Sequence, residues 1–186
     1  MAAARLTGFV ALLRAVNVGG TGVIRMADLK AVCKGIGFRD VTTLLQSGNV
    51  VFRATGSDRT VAESLADAIE ASHGFCPAIV VRTADEIAET MSGNPFKAEE
   101  KSDPSHLIVA FAAEPPTAGA AERIAVVKVA QERLSLGARD LYVHYAGGQG
   151  TSKVTNAVLE QALGTPVTAR NWNTVGKLLA LARALD

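Results

Sequence analysis

The stretch VTTLLQSGNVVF, residues 41–52, is the clearest indicator of fold class in this 186-residue chain. It contains two short apolar runs, at 41–45 and 50–52, joined by the polar residues Gln46-Ser47-Gly48-Asn49. Apolar and β-branched residues on both sides of a Gly-Asn turn predict a β-hairpin. Because helical patterns flank this hairpin on both sides, the stretch indicates an α+β unit.

The flanking segments complete a βαββαβ order. The predicted strands of this half lie at 8–13, 41–45, 50–52 and 78–81, and the predicted helices at 26–34, 60–72 and 83–93. Residues 8–13 are continuously apolar, which is typical of a strand buried on both faces. Thr60 with Glu63, and Thr83 with Glu86, match the capping-box pattern at the starts of two helices. The order is that of a ferredoxin-like unit.

The pattern partly repeats after residues 94–104, a predicted linker that contains Pro95 and Pro104. The later predicted strands lie at 106–112, 141–145 and 166–169, and the later predicted helices at 120–134, 153–163 and 173–185. We therefore predict an α+β fold of two ferredoxin-like (βαββαβ-type) halves, the second less regular, with a C-terminal helix. The expected domains are 1–93 and 105–186, and a faded duplication would explain their likeness.

Composition excludes several classes of protein. The 19 Lys and Arg residues nearly cancel the 18 Asp and Glu residues, so the basic face of a duplex-DNA binder is not expected. Two distant cysteines, Cys33 and Cys76, indicate reduced, buried thiols, and three scattered histidines add no metal-ligand pattern. No apolar run is long enough to span a membrane, and no signal peptide is recognisable. We expect a cytoplasmic protein without a cofactor or a metal.

Polar clusters follow three of the predicted strands, at 14–20, 46–49 and 170–174. A helical crossover makes the first two strands of a βαββαβ unit parallel within one sheet. Their ends then lie at the same edge of that sheet. The clusters at 14–20 and 46–49 are therefore predicted to meet in space.

These clusters and the Gly-rich loop at 147–153 supply the candidate ligand-binding residues. They are Arg14, Asn17, Gly19, Gly20, Ser47, Asn49, Ser152, Lys153, Arg170, Asn171 and Asn173. The cations would neutralise an anion, the amides and hydroxyls would orient it, and the glycines would let backbone N–H groups approach it. The same residue types also suit tight turns and helix caps, so a structural role stays open for each. His144 is interpreted as structural or surface.

The chain also resembles the domain-of-unknown-function family 1697. The resemblance rests on the strings LLRAVNVGGTGVIRMADLKAV (12–32), LLQSGNVVF (44–52), GNPF (93–96), GGQGTSKVTNAVLEQALG (147–164) and TARNWNTVGKLLALA (168–182). Members usually have Gly and Ile where this chain has Ala15 and Val16, and often Arg where it has Thr151. The resemblance implies a bacterial, cytosolic protein with ferredoxin-like halves, and it brings no assigned activity.

Three function classes follow from these residues. The first is a module that binds an anionic or nucleotide-like small molecule in a polar cleft formed by the strand-end loops. The second is a transferase or hydrolase that uses the same cleft, for which no catalytic residue is assigned because Ser47 has no evident base nearby. The third is a single-stranded nucleic-acid-binding module, which the 5% aromatic content disfavours without excluding it. A purely structural role as an oligomer subunit also stays open, and the oligomeric state is not predicted.

Overall fold

A computed structural model describes residues 6–19 and 22–185 of the chain. It divides into two compact units, Met1–Ile87 with Leu178–Asp186, and Ala88–Lys177. The two sheets are each four-stranded, and every pair of neighbouring strands in them is antiparallel. The predicted α+β class with two similar halves and a C-terminal helix is confirmed.

The first unit follows the predicted βαββαβ order closely. Its strands are β1 (Thr7–Leu13), β2 (Arg39–Leu44), β3 (Asn49–Ala54) and β4 (Ile79–Thr83), and its helices are α1 (Met26–Gly35) and α2 (Asp58–His73), followed by α3 (Ala84–Ser92). The sheet order is β2-β3-β1-β4. Because β1 and β2 both run antiparallel to β3, they point in the same direction, as a helical crossover requires.

One face of this sheet forms a core with α1 and α2. Alternate residues of β1, namely Phe9, Ala11 and Leu13, point into that core, as the period of two along a strand requires. Leu29 and Cys33 of α1 reach the same core from one helical face. Burial raises the pKa of the Cys33 thiol to about 12, so this cysteine is an inert apolar group.

The second unit repeats this strand order. Its strands are β5 (Leu107–Ala112), β6 (Glu132–Leu136), β7 (Leu141–Tyr145) and β8 (Val167–Asn171), and its helices are α4 (Glu99–Ser102), α5 (Ala120–Ala125) and α6 (Asn156–Leu163), followed by α7 (Trp172–Arg183). The sheet order is β6-β7-β5-β8, the counterpart of β2-β3-β1-β4. The second unit is therefore as regular in topology as the first.

The predicted helix at 120–134 is wrong beyond Ala125. Residues Glu132–Leu136 instead form the edge strand β6, which pairs with β7. Leu134 and Leu136 alternate along this strand and both pack against the core of the second unit. The alternation has a period of two, and it stabilises a strand only when β7 is present beside it.

The start of α2 and the burial of Cys76 also differ from the sequence-based prediction. The capping box of α2 is formed by Ser57 and Thr60, so the N-cap lies three residues before the one predicted from Thr60 and Glu63. By contrast, the capping box of Thr83 and Glu86 is confirmed by reciprocal hydrogen bonds. The free Cys76 is exposed, not buried as predicted.

The segment 94–104, predicted as a linker, belongs to the second unit and contains the single turn of α4. The domain boundaries that we derived from the sequence stay a prediction. Among the described residues, no helix is both long enough and apolar enough to cross a membrane.

We expect Gly48→Ala to destabilise the protein by about 2–3 kcal/mol. Gly48 has a φ of +71°, and a Cβ at this position would lie 2.8 Å from the Cβ of Leu13. Gly35→Ala is the matched control, because a Cβ there meets no atom within 4 Å and Ala favours the helix. Urea unfolding at neutral pH measures both changes. Equal stability of the two variants would contradict the assigned hairpin geometry.

Candidate functional site

Asn17 joins the two strand-end loops of the first unit. Its side-chain amide donates to the carbonyl oxygens of Ile24 at 2.9 Å and Gln46 at 2.8 Å. Its Oδ1 accepts the backbone N–H of Ile24 at 3.0 Å. The clusters at 14–20 and 46–49 therefore meet, as the strand directions predicted. Asn17 itself has a φ of +58°, a conformation that asparagine tolerates better than most residues.

Asn49 and Ser47 form a second internal network in the hairpin. Asn49 is 0% exposed, and its side-chain amide donates to the carbonyl oxygen of Leu44 at 2.8 Å and to the Ser47 hydroxyl at 3.0 Å. Both residues thus stabilise the turn between β2 and β3. The buried amide of Asn49 is directed at the protein and not at solvent.

The remaining first-unit candidates are Arg14, Gly19 and Gly20. The backbone N–H of Arg14 donates to the carbonyl oxygen of Ala78 at 2.9 Å, and its side chain is half-buried. Gly19 is exposed with a φ of +68°, which fits the expected turn. Gly20 lies outside the described residues.

Arg170 lies within β8, not after it as predicted, and it is only 8% exposed. Its Nη1 donates to the Thr168 hydroxyl and to the Ala169 carbonyl oxygen, both at 2.8 Å. Burial lowers the pKa of its guanidinium to about 10, so the group remains charged at neutral pH. Asn171 ends the same strand and caps α7, since its Oδ1 accepts the backbone N–H of Thr174 at 2.9 Å. Asn173 is exposed.

Sequence reasoning missed the counterpart of Arg170 in the first unit. Arg82 is the penultimate residue of β4, is 1% exposed, and donates to the carbonyl oxygen of Val81 at 3.1 Å. It pairs with Val10 of the central strand as Arg170 pairs with Val109. In each unit the next residue, Thr83 or Asn171, caps the following helix. The repetition indicates that Arg170 belongs to the architecture of the unit.

Ser152 and Lys153 precede α6, which begins at Asn156 and not at Lys153 as predicted. The Ser152 hydroxyl donates to the Glu132 carboxylate and accepts the backbone N–H of Val154. This hydrogen bond and the backbone N–H group of Ala130 are the main causes that lower the pKa of Glu132 to about 2. Ser152 therefore fixes the segment that carries the exposed Lys153.

Lys153 lies at a cavity of about 400 Å³ in the second unit, which we call the Lys153 cavity. The cavity is lined by Arg123, Val126, Val127, Lys128, Lys153, Val158, Gln161 and Ala162. These residues come mainly from α5, α6 and the segment after α5. Three of them are cations and none is a carboxylate, while most of the others are aliphatic.

A second cluster that sequence reasoning missed surrounds Asp103. Its two carboxylate oxygens lie 2.9 Å from Nδ1 of His106 and 3.0 Å from Nε2 of His144. The hydrogen bond from His144 is the largest cause that lowers the pKa of Asp103, and His106 adds to it. His144 is buried, which fits the structural role predicted for it.

Arg133 extends this cluster across the sheet. It pairs with the Glu99 carboxylate, lies 4.9 Å above the Phe96 ring, and is the register partner of His144. The i,i+3 spacing of Asp103 and His106 was readable in the sequence, but the Arg133–His144 pairing required β6. Within 6–19 and 22–185, no group of three or more His, Cys, Asp or Glu side chains is arranged so that it could hold a metal ion.

With this geometry established, comparison with known proteins assigns the family. The profile of the family described as "Protein of unknown function (DUF1697)" matches residues 6–142. The chain belongs to this family. No curated protein matches it.

A solved structure with the same fold is similar to this DUF1697 protein. It is described as a conserved bacterial protein, SP0830, from Streptococcus pneumoniae. The TM-score is 0.72 at 19% sequence identity, over 96% of this chain and 99% of that chain. At this identity the likeness shows the fold alone.

We expect Arg170→Ala to lower the free energy of unfolding by about 3 kcal/mol, because it removes a large buried side chain and its hydrogen bonds. Arg59→Ala is the matched control: Arg59 is exposed on α2, and losing its ion pair with Glu63 should cost at most about 0.5 kcal/mol. Chemical denaturation measures both. If Arg170→Ala keeps wild-type stability, the structural role of Arg170 is wrong.

We expect Asp103→Asn to reduce stability at neutral pH and to matter less in acid. The pKa of Asp103 is lowered in the folded protein, so its carboxylate stabilises the fold above the usual carboxyl pKa of about 3.9. That contribution is lost as the pH falls through the lowered value. Urea unfolding from pH 7 to pH 3 measures it, with the exposed Asp67→Asn as control. A stability gap that stays constant with pH contradicts this assignment.

Proposed function

We propose that this protein binds a small organic anion with an apolar portion, and that the Lys153 cavity holds it. The observation that carries this proposal is the combination of three cations and aliphatic side chains around one cavity. Among the described residues, neither Lys128 nor Lys153 has a carboxylate partner, and Arg123 forms hydrogen bonds only with neutral groups. An anionic ligand would supply the missing negative charge.

Arg123 is held in a fixed position before any ligand arrives. Its Nε donates to the carbonyl oxygen of Ala162 at 2.8 Å, Nη1 to that of Ala118 at 2.9 Å, and Nη2 to the Thr117 hydroxyl at 2.6 Å. A guanidinium has five N–H donors, so two remain available to a ligand. A preorganised cation loses little side-chain entropy on binding.

The apolar wall favours a ligand that is more than a bare ion. Val126 is 77% exposed, and Val158 and Ala162 lie on the neighbouring α6. Covering aliphatic surface contributes about 25 cal/mol per Å² removed from water. The volume of about 400 Å³ falls within the range of small-molecule sites. A carboxylate or phosphate on a short hydrocarbon or aromatic group matches both the charge and the wall.

The arrangement supports binding more than catalysis. The residues that line the Lys153 cavity include no histidine, carboxylate, serine or cysteine. Their two lysines are exposed, and no second residue of the lining could accept a proton from them. The polar side chains of Asn17, Asn49 and Arg170 make hydrogen bonds with their own units. In our proposal these residues stabilise the fold, and Lys153 binds the ligand.

A thermal-shift screen against medium-chain carboxylates, aryl phosphates, nucleotides and sugar phosphates tests this proposal. A ligand at 100 times its Kd stabilises the folded protein by about 2.7 kcal/mol, which raises Tm by about 5–10 °C. Lys153→Ala combined with Lys128→Ala should remove most of this shift while leaving the unliganded Tm within about 1 °C, because both lysines are exposed.

Lys177→Ala is the matched control, since it removes one exposed lysine of α7 that does not line the cavity. It should respond to ligand as the wild type does. The proposed site is wrong if the double substitution leaves the ligand-induced rise in Tm unchanged. It is equally wrong if no compound of the panel raises the Tm of the wild type.

A further inference from the structure

The first unit carries two pairs of like charges that its local structure does not favour. Lys30 and Lys34 are four residues apart on α1 and therefore neighbours on one helical face. Arg39 of β2 is the register partner of Arg53 of β3, so two arginines occupy directly opposite positions on neighbouring strands. Like charges at either spacing are destabilising by a few tenths of a kcal/mol. Local conflicts of this kind are expected at functional sites.

Little negative charge compensates these four cations. Asp40 lies 3.8 Å from Nη1 of Arg53, a distance at which only a weak, solvent-screened attraction operates. Within 6–19 and 22–185, Lys30, Lys34 and Arg39 have no ion pair. The patch therefore has an excess of positive charge.

A β-bulge shapes the same surface. The register between β2 and β3 shifts between Arg39 and Thr42, and Asp40 within the bulge has a φ of +53°. A bulge redirects the side chains beside it, and a non-glycine residue in this region of φ costs of order 1 kcal/mol. The strained residue Asp40 is therefore adjacent to Arg39, whose register partner is Arg53.

The bulge borders an open cavity of about 660 Å³, to which Lys30, Lys34, Asp40, Thr42 and Arg53 contribute. Its polar lining and open shape mean that charge and hydrogen bonds, and not apolar burial, would hold a ligand there. Arginine and lysine together suit phosphate oxygens, which accept several charge-assisted hydrogen bonds. The volume suits a molecule of nucleotide size.

We infer that this bulge patch is a second binding site and takes a small molecule with at least two phosphate charges. Its cations are Lys30, Lys34 and Arg53, which line the cavity, and Arg39, the register partner of Arg53. The bulge patch differs from the Lys153 cavity in place and in chemistry. The negative charge of the ligand would offset the repulsion within both like-charge pairs. In the complex, each of these cations would be attracted to the ligand.

Inorganic pyrophosphate is the probe for this inference. Calorimetry and amide-shift mapping on the full chain should show saturable binding, with the largest shifts around residues 30–42 and 53. Lys34→Gln should weaken binding about tenfold, the loss of one charge-assisted hydrogen bond. Arg39→Glu should abolish binding and raise Tm without ligand by about 1–2 °C, because it replaces a repulsive cross-strand pair with an attractive one.

Lys153→Gln is the control that separates this inference from the proposed function, and it should leave pyrophosphate binding within about twofold of wild type. If Lys153→Gln weakens binding and Lys34→Gln does not, the bulge patch is not the site and the inference fails. It fails equally if pyrophosphate does not bind saturably at millimolar concentration. The cations would then serve only to protect β2, an edge strand, against pairing with other chains.

Discussion

The first strand of each unit is hydrogen-bonded on both sides, and this constraint determines where everything else lies. β1 pairs with β3 and β4, and β5 pairs with β7 and β8, always antiparallel. Since these central strands are almost fully buried, their residues must be apolar and their backbone groups must all be paired. The order of the outer strands then places the loops after the first and second strands at one edge of each sheet.

That constraint also explains why most polar side chains of the strand-end loops are hydrogen-bonded to other groups of the protein. Loops that meet at a sheet edge leave backbone groups without ladder partners, and side-chain amides satisfy them. Asn17 does this between two loops, and Asn49 does it within the hairpin. By contrast, Lys30, Lys34, Lys128 and Lys153 have no ion pair or side-chain hydrogen bond within the part of the chain that the structure describes. Unpaired charge therefore remains at the bulge patch and the Lys153 cavity.

The sequence predicted the features that depend on neighbouring residues. The apolar run at 8–13, the Gly-Asn hairpin and the Thr83–Glu86 capping box were all readable from short strings. It did not predict β6, because Glu132–Leu136 follows helix-forming residues without a Gly or Pro between them. The alternation of apolar residues in this segment stabilises a strand only when β7 lies beside it. Arg82 was missed for the same reason, since its burial depends on the assembled fold. The Lys153 cavity exists only once α5 and α6 pack together.

The most direct test of the account is a map of backbone amide shifts on titration with the strongest anionic ligand from the thermal screen. We expect saturable shifts in residues 123–128 and 153–162, which line or flank the Lys153 cavity. Shifts confined to Asn17, residues 46–49 and Arg170 would contradict it. They would return the ligand site to the strand-end loops.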